Sequence, residues 1–210
     1  MLKVIKTTAY NDMKMGTAGL RKKSKVVLQE NYLENFVQSV FNAIGGVEGF
    51  VLSASHNPGG INGDFGIKYA VASGGQCPTA ISDKIYEISK TISEYKTLDE
   101  PDVDLSKLGT QKLGNMEIEV IDPVKDYVEM MENIFDFAAI KKLFANGFTM
   151  VFDAMNAVTG PYARKIFEEI LGAKQGSVLN YVPLEDFGGL HPDPNLIYAK
   201  TLVDLMYSDK

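Results

Sequence analysis

The stretch Val51–Tyr69 reads VLSASHNPGGINGDFGIKY, and its punctuation decides how the chain around it must run. Val51 and Leu52 end an apolar run, Ser55, His56 and Asn57 are polar, and Pro58, Gly59 and Gly60 exclude a helix. The pattern predicts a buried strand over Phe50–Leu52 that delivers Ser55 to a loop, and a second strand over Phe65–Val71 that carries Lys68. A serine hydroxyl is a weak nucleophile at its ordinary pKa and needs a neighbouring base or a strong local field, which His56 and Lys68 are placed to supply. The glycines of the loop let backbone N–H groups approach a phosphate closely. Taken as a dipeptide alone, Ser55-His56 more often marks an ordinary strand-to-turn connection.

Working outward, Leu2–Thr7 alternates as a strand does, and Met15–Leu20 reads as a glycine-bearing loop or hairpin arm. Leu33, Phe36, Val37, Val40, Phe41 and Ile44 fall at helical spacing, with Asn31 as N-cap, Glu34 completing a capping box and Gly45 at the C-terminal end. After Pro78 a further helix shows Ile81, Ile85, Ile88 and Ile92 on one face. Glu94–Asn115 is charged and turn-rich and is expected to be a surface connection. A strand over Met116–Ile121 follows, and Asp122-Pro123 then opens a helix. That junction divides the chain into an expected first domain, 1–121, and second domain, 122–210. In the second, a helix from Asp136 to about Gly147, a strand over Phe148–Phe152, a helix carrying Ala163 to Leu171, a strand over Ser177–Val182 and a helix after Asn195 continue the alternation. The class is α/β, with mixed, partly parallel sheets covered by helices.

Composition narrows the function. Hydrophobic residues make up 45% and charged residues 23% of 210, which describes a globular chain, and no apolar run approaches the ~20 residues that cross a bilayer. One cysteine, Cys77, and no signal-peptide pattern fit a reducing cytoplasm, and no zinc site is expected. A net charge of −6 argues against nucleic acid as partner. Arg21, Lys22, Lys23 and Lys25 form the basic cluster, a size that suits a small phosphorylated ligand.

The word SASHNPGG followed by GDFGIKY resembles the phosphoserine loop of the α-D-phosphohexomutases, in the phosphoglucomutase and parafusin branch. Gly16–Lys23, GTAGLRKK, is similar to that family's Gly-Thr-Ser-Gly-Leu-Arg loop, with Ala18 in place of serine, and Phe187–Asn195, FGGLHPDPN, resembles a stretch of its second domain. The resemblance implies the first two domains of a phosphohexomutase-like fold and an enzyme that interconverts glucose 1-phosphate and glucose 6-phosphate. Glucose 1,6-bisphosphate would be activator and intermediate. It implies Ser55 as the residue that carries the phosphoryl group, His56 and Lys68 as catalytic partners, and Thr17, Arg21 and Asn57 as phosphate- or substrate-binding. Mg2+ would be held by a phosphoserine oxygen on Ser55 and by three aspartates of an Asp-Gly-Asp-x-Asp-Arg word.

Two departures qualify that implication. No Asp-Gly-Asp occurs in the sequence, and the first helix reaches the serine strand through Gly45–Gly49 alone, where the family carries several strands and helices with a Gly-Asp-Gly-Arg word. The first domain is therefore expected to lack cover for Phe36, Val40 and Phe41 and to be the less stable half, with fast exchange over Leu33–Ile44 and protection over Phe148–Phe152 and Ala163–Leu171. The chain by itself is expected to be an inactive fragment. The alternatives are a parafusin-like phosphoprotein that accepts phosphate without turnover, or the product of an aberrant gene model.

Overall fold

A computed structural model describes residues 1–16, 19–46 and 49–208. The chain forms two compact units, Met1–Val103 with Lys112–Glu117, and Asp104–Gln111 with Ile118–Lys210.

The first unit runs β1 (Leu2–Lys6), β2 (Leu20–Lys23), a single helical turn α1 (Ser24–Val27), α2 (Tyr32–Ile44), β3 (Gly49–Leu52), β4 (Asp64–Ala70), α3 (Thr79–Ser89) and β5 (Glu94–Leu98). β1 pairs antiparallel with β5, and β4 lies between β2 and β3, antiparallel to both. The expected surface connection from Glu94 is thus partly strand, because the alternation Glu94, Tyr95, Lys96 matches that of β1 opposite it.

The apolar stripe of α2 forms its helix as the spacing requires, and Gly45, at φ 73°, closes it by donating its N–H to the Phe41 carbonyl. The capping box does not form. Asn31 itself takes the left-handed conformation, φ 59°, and its side-chain oxygen accepts from the Tyr95 hydroxyl at 3.0 Å instead of capping the helix. The stripe is covered: Tyr32, Phe36 and Val40 are fully buried, in one cluster with Met13, Leu20, Ile67, Tyr69 and Ile85. Of the three residues expected to be bare, only Phe41 is, at 43% exposed. Packing of α3 against α2 supplies what the shortened connection does not.

β6 (Gly109–Leu113) and β7 (Met116–Val120) form a two-stranded ladder joined through Gly114 and Asn115. The second unit continues with α4 (Pro123–Ile134), α5 (Phe137–Ala145), β8 (Phe152–Asp153), α6 (Thr159–Ala163), a π-helical segment Arg164–Ile170, β9 (Val178–Leu179), a 3-10 turn Phe187–Gly189 and α7 (Lys200–Tyr207). Asp122 and Asp136 cap α4 and α5 through the N–H groups of Val124 and Ala139. Glu168 is buried and accepts from the N–H groups of Gly176 and Val178 at 2.9 and 3.0 Å, tying the π-helical segment to the approach of β9.

Two expectations are corrected here. The sheets are small and mostly antiparallel; among the described residues parallel pairing is confined to Phe152↔Val178 and Asp153↔Leu179. The expected strands over Phe148–Phe152 and Ser177–Val182 shrink to those pairs, Phe148 is 52% exposed, and Asn180 at φ 48° turns the chain away. The strand over Phe50–Leu52 exists but is not buried, with Val51 49% and Leu52 67% exposed, because β3 lies at a sheet edge.

Candidate functional site

Strand alternation sorts the side chains of the three-stranded sheet into two faces. Leu20, Ile67 and Tyr69 point into the core and are buried. On the opposite face Arg21 lies across from Gly66, Lys23 across from Asp64, and Lys68 across from Val51, so these four charged residues gather on the side away from the core, whereas Lys22 shares the face of Leu20. The sequence dictates this directly, since apolar and polar residues alternate through Phe65–Tyr69 except at Gly66.

The serine loop departs from the end of β3. Ser53 donates its N–H to the Gly66 carbonyl at 2.8 Å, and a Cβ at Gly66 would overlap the Ser53 carbonyl oxygen, so glycine alone permits this approach. Ser55 then takes the left-handed region, φ 63°, at a cost on the order of 1 kcal/mol for a residue with a side chain. The Ser53 hydroxyl oxygen holds it there by accepting the Ser55 N–H at 3.0 Å. The result presents Ser55 and His56 exposed at the tip, with the Ser55 Oγ 3.3 Å from His56 Nδ1.

A chain of polar contacts ties the loop to the sheet. The Asn57 side-chain amide donates to Asp64 Oδ2 at 2.7 Å, and its oxygen accepts from Arg21 Nη1 at 3.3 Å. Asp64 Oδ1 pairs with Lys23 Nζ at 2.8 Å, and its N–H donates to the Pro58 carbonyl at 2.9 Å. The Lys23 ammonium and then the Asn57 amide hold the Asp64 carboxyl below its ordinary value. Beneath, Lys22 pairs with Asp12 at 3.2 Å and the buried Tyr32 hydroxyl donates to the same carboxylate at 3.1 Å; burial, reinforced by Asp12, pushes the Tyr32 pKa upward.

Of the residues singled out from sequence, Ser55 and His56 are brought into contact, and Asn57 and Arg21 are joined beside them. Lys68 shares their sheet face, its side chain lying where a Cβ at Gly19 would sit and making no hydrogen bond or ion pair among the described residues. Thr17 lies outside the described residues. Sequence reasoning gave no role in the site to Ser53 or Asp64, although both stand inside the words that were quoted, and read Lys23 only as part of the basic cluster.

The site does not fit a Mg2+ ion on its own. A hard cation takes about six oxygens, the described residues contain no group of three acidic, histidine or cysteine ligands, and Asp64 is already engaged by Lys23 and Asn57. In the second unit, Asp153 accepts from the Met155 N–H and from Asn180, Asn156 donates to the Val182 carbonyl, and His191 stacks on Tyr198 at 4.1 Å. These contacts brace turns. No helix among the described residues is long and apolar enough to cross a membrane.

Residues 44–96 match the family model for phosphoglucomutase/phosphomannomutase, alpha/beta/alpha domain I. The phosphoglucomutase of Rhizobium radiobacter is 46% identical over 261 aligned positions, covering 97% of this chain and 48% of that protein. A cytoplasmic phosphoglucomutase of Populus tremula is 42% identical, with 96% and 47% covered, and a chloroplastic one of Solanum tuberosum is 42% identical, with 99% and 42% covered. The crystal structure of the exocytosis-sensitive phosphoprotein pp63/parafusin, a phosphoglucomutase from Paramecium, superposes in its open form with a TM-score of 0.92 at 35% identity, covering all of this chain and 50% of that one. The chain spans about half the length of the curated relatives it matches. Since 261 aligned positions exceed 210 residues by 51, at least that many positions of the Rhizobium protein have no counterpart here.

Proposed function

The chain belongs to the phosphoglucomutase family, and from that premise we propose that Ser55 is the residue through which it exchanges a phosphoryl group with a glucose phosphate. The observation that carries this reading is the Ser55 backbone at φ 63°, which sets the hydroxyl at the loop tip against His56 Nδ1. Backbone strain of this kind persists where the surroundings over-determine it, and it clusters at sites that must present a group in one direction. The donor is glucose 1,6-bisphosphate. The Ser55 Oγ attacks its phosphorus, the P–O bond to the sugar breaks, and the hexose monophosphate leaves. The hydroxyl proton passes to His56 and the negative charge on the transferring oxygens is met by Arg21 and Lys68. The phosphorylated Ser55 would then give its phosphoryl group to the free hydroxyl of a glucose 1-phosphate, and return of the other phosphoryl group of the resulting bisphosphate to Ser55 would release glucose 6-phosphate.

Phosphoryl transfer asks chiefly for positioning and positive charge, and this loop and sheet face offer both. Mg2+ belongs to the proposed whole reaction, but no step is assigned to it, because the residues present do not form its site. The chain alone is therefore expected to turn over hexose phosphate negligibly: losing several charge-stabilising groups at roughly 3 kcal/mol each removes nearly all the rate. The proposed compartment is the cytoplasm.

The likeness to a protein named as an exocytosis-sensitive phosphoprotein favours a second reading, in which the loop accepts phosphate and nothing is turned over. One experiment separates the two. Mass spectrometry and peptide mapping of the intact enzyme after incubation with glucose 1,6-bisphosphate should place one phosphate on Ser55. Subsequent addition of glucose 1-phosphate should discharge it if the loop is catalytic and leave it in place if it is only an acceptor. Phosphate on Ser53 or on no serine overturns both.

A further inference from the structure

The sheet that carries the site has two outer edges of opposite character. β2 presents Arg21, Lys22 and Lys23, and basic side chains discourage another strand from pairing there. β3 presents Gly49, Phe50, Val51 and Leu52, with neither charge nor proline, and leaves Val51 49% and Leu52 67% exposed. Phe41 of α2, 43% exposed, stands beside Phe50 with ring centroids 6.5 Å apart, so the apolar surface continues from the edge onto the helix.

The phase of the ladder shows what that edge offers. Ser53 donates to the Gly66 carbonyl, so Ser53–Gly66 is a hydrogen-bonded pair, and alternation makes Val51–Lys68 and Gly49–Ala70 hydrogen-bonded pairs as well. The N–H and C=O groups of Phe50 and Leu52 therefore point away from β4, along the free edge. No stretch of this chain between the neighbouring elements can satisfy them, because α2 ends at Ile44 and β3 begins at Gly49.

We propose that the edge of β3 pairs with β3 of a second copy of this chain, antiparallel about a two-fold axis through Val51. In that register Phe50 faces Leu52 of the second copy and the two exchange N–H···O=C bonds. Val51 meets its equivalent at the axis as a non-hydrogen-bonded pair with the side chains close together. The segment is neutral, so nothing repels its own copy, and the main-chain groups on offer require an extended strand as occupant. The contact is isologous and closes at two copies. A four-residue ladder with Phe41 beside it falls short of the roughly 1,600 Å² of a standard interface, so association is weak and concentration-dependent.

Sedimentation velocity of the whole chain over a concentration series should show a monomer–dimer equilibrium. Val51→Lys, which sets two ammonium groups against each other at the axis, should weaken it by about tenfold or more. Leu52→Pro, which removes an edge donor and no bond to β4, should weaken it similarly, and Ser55→Ala should leave it unchanged. Hydrogen exchange at the amides of Phe50 and Leu52 should slow as concentration rises while that of Val51 does not, and this measurement decides the matter if either variant fails to fold. A monomer at every concentration, a dimer that survives both edge variants, assembly beyond two copies, or unresponsive Phe50 and Leu52 amides would each overturn the proposal.

Discussion

The two units are built from the same alternation of strand and helix patterns, and they close their interiors to very different degrees. In the first, Met13, Tyr32, Phe36, Val40 and Ile85 are completely buried. In the second, the most buried apolar residues are Val128, Ala154, Met155, Ala163, Leu171, Ala173 and Val178, several of them small, while Ile134, Phe135, Phe148, Val158, Leu196 and Ile197 are each more than half exposed. The reason lies in what the helices pack against. α2 lays its stripe against α3 and shares a core with β2 and β4, whereas α4 meets α6 through the Tyr127–Tyr162 ring pair and the parallel sheet of that unit is reduced to two residues on each strand. An amphipathic helix contributes stability only through a partner that takes its apolar face away from water. The unit interrupted in sequence is consequently the one with the completed core, the reverse of the order expected from the shortened connection.

The largest effect should come from Phe36→Ala. Removing a fully buried aromatic ring costs about 3–5 kcal/mol, enough to unfold a small unit. Amide exchange across α2, α3 and β4 should accelerate together, while α4 and α6 keep their wild-type rates if the units are independent. The matching change in the second unit, Phe148→Ala at a ring already 52% exposed, should shift stability by about 0.5 kcal/mol or less. Comparable losses at the two sites would break the contrast.

Wild-type exchange rates sharpen it without mutation. Amides of Tyr32–Ile44 should exchange far more slowly than those of Phe148–Phe152, and the opposite order would mean that the second unit is the more stable after all.

A smaller effect is expected at Glu168, the point where the second unit depends on a buried polar group in place of large apolar ones. Glu168→Ala leaves the Gly176 and Val178 N–H groups without their acceptor and should cost about 1–3 kcal/mol, read as faster exchange confined to the π-helical segment and β9.

The smallest concerns Asp64. Its carboxyl is held below the ordinary value by Lys23 and then Asn57, so its contribution is fully present above the ordinary carboxylate pKa and is lost as pH falls through the lowered one. The Asn57 side-chain amide signals should shift in that acid range and become insensitive to pH there in Asp64→Asn. A loop that instead loosened on raising the pH through neutrality would contradict the assignment.

Much of the site could be read from the chain itself. The loop word around Ser55, the strand bearing Lys68 and the basic run at Arg21 are local matters, set by where proline and glycine forbid helix and by alternation along a strand. The helices of α2, α3 and α4 followed from spacing, and the cap at Asp122 from residue type. The Asn31 cap did not follow, because Tyr95, distant in sequence, took the oxygen that would have capped the helix.

What the sequence determined alone was therefore whatever a few consecutive residues decide: helix or strand, a turn at Pro58–Gly60, and a serine that no regular element could hide. Only the tertiary structure decided how strands pair, which face is covered and which carboxylate holds the loop, because each depends on residues brought together from far apart. Asp64 reaches Lys23 only after β4 has docked beside β2, and Phe36 is buried because α3 and the sheet bring Ile85, Leu20 and Ile67 into one cluster with it. Alternation fixes which side of a strand a residue occupies; the neighbour waiting on that side is set by the fold.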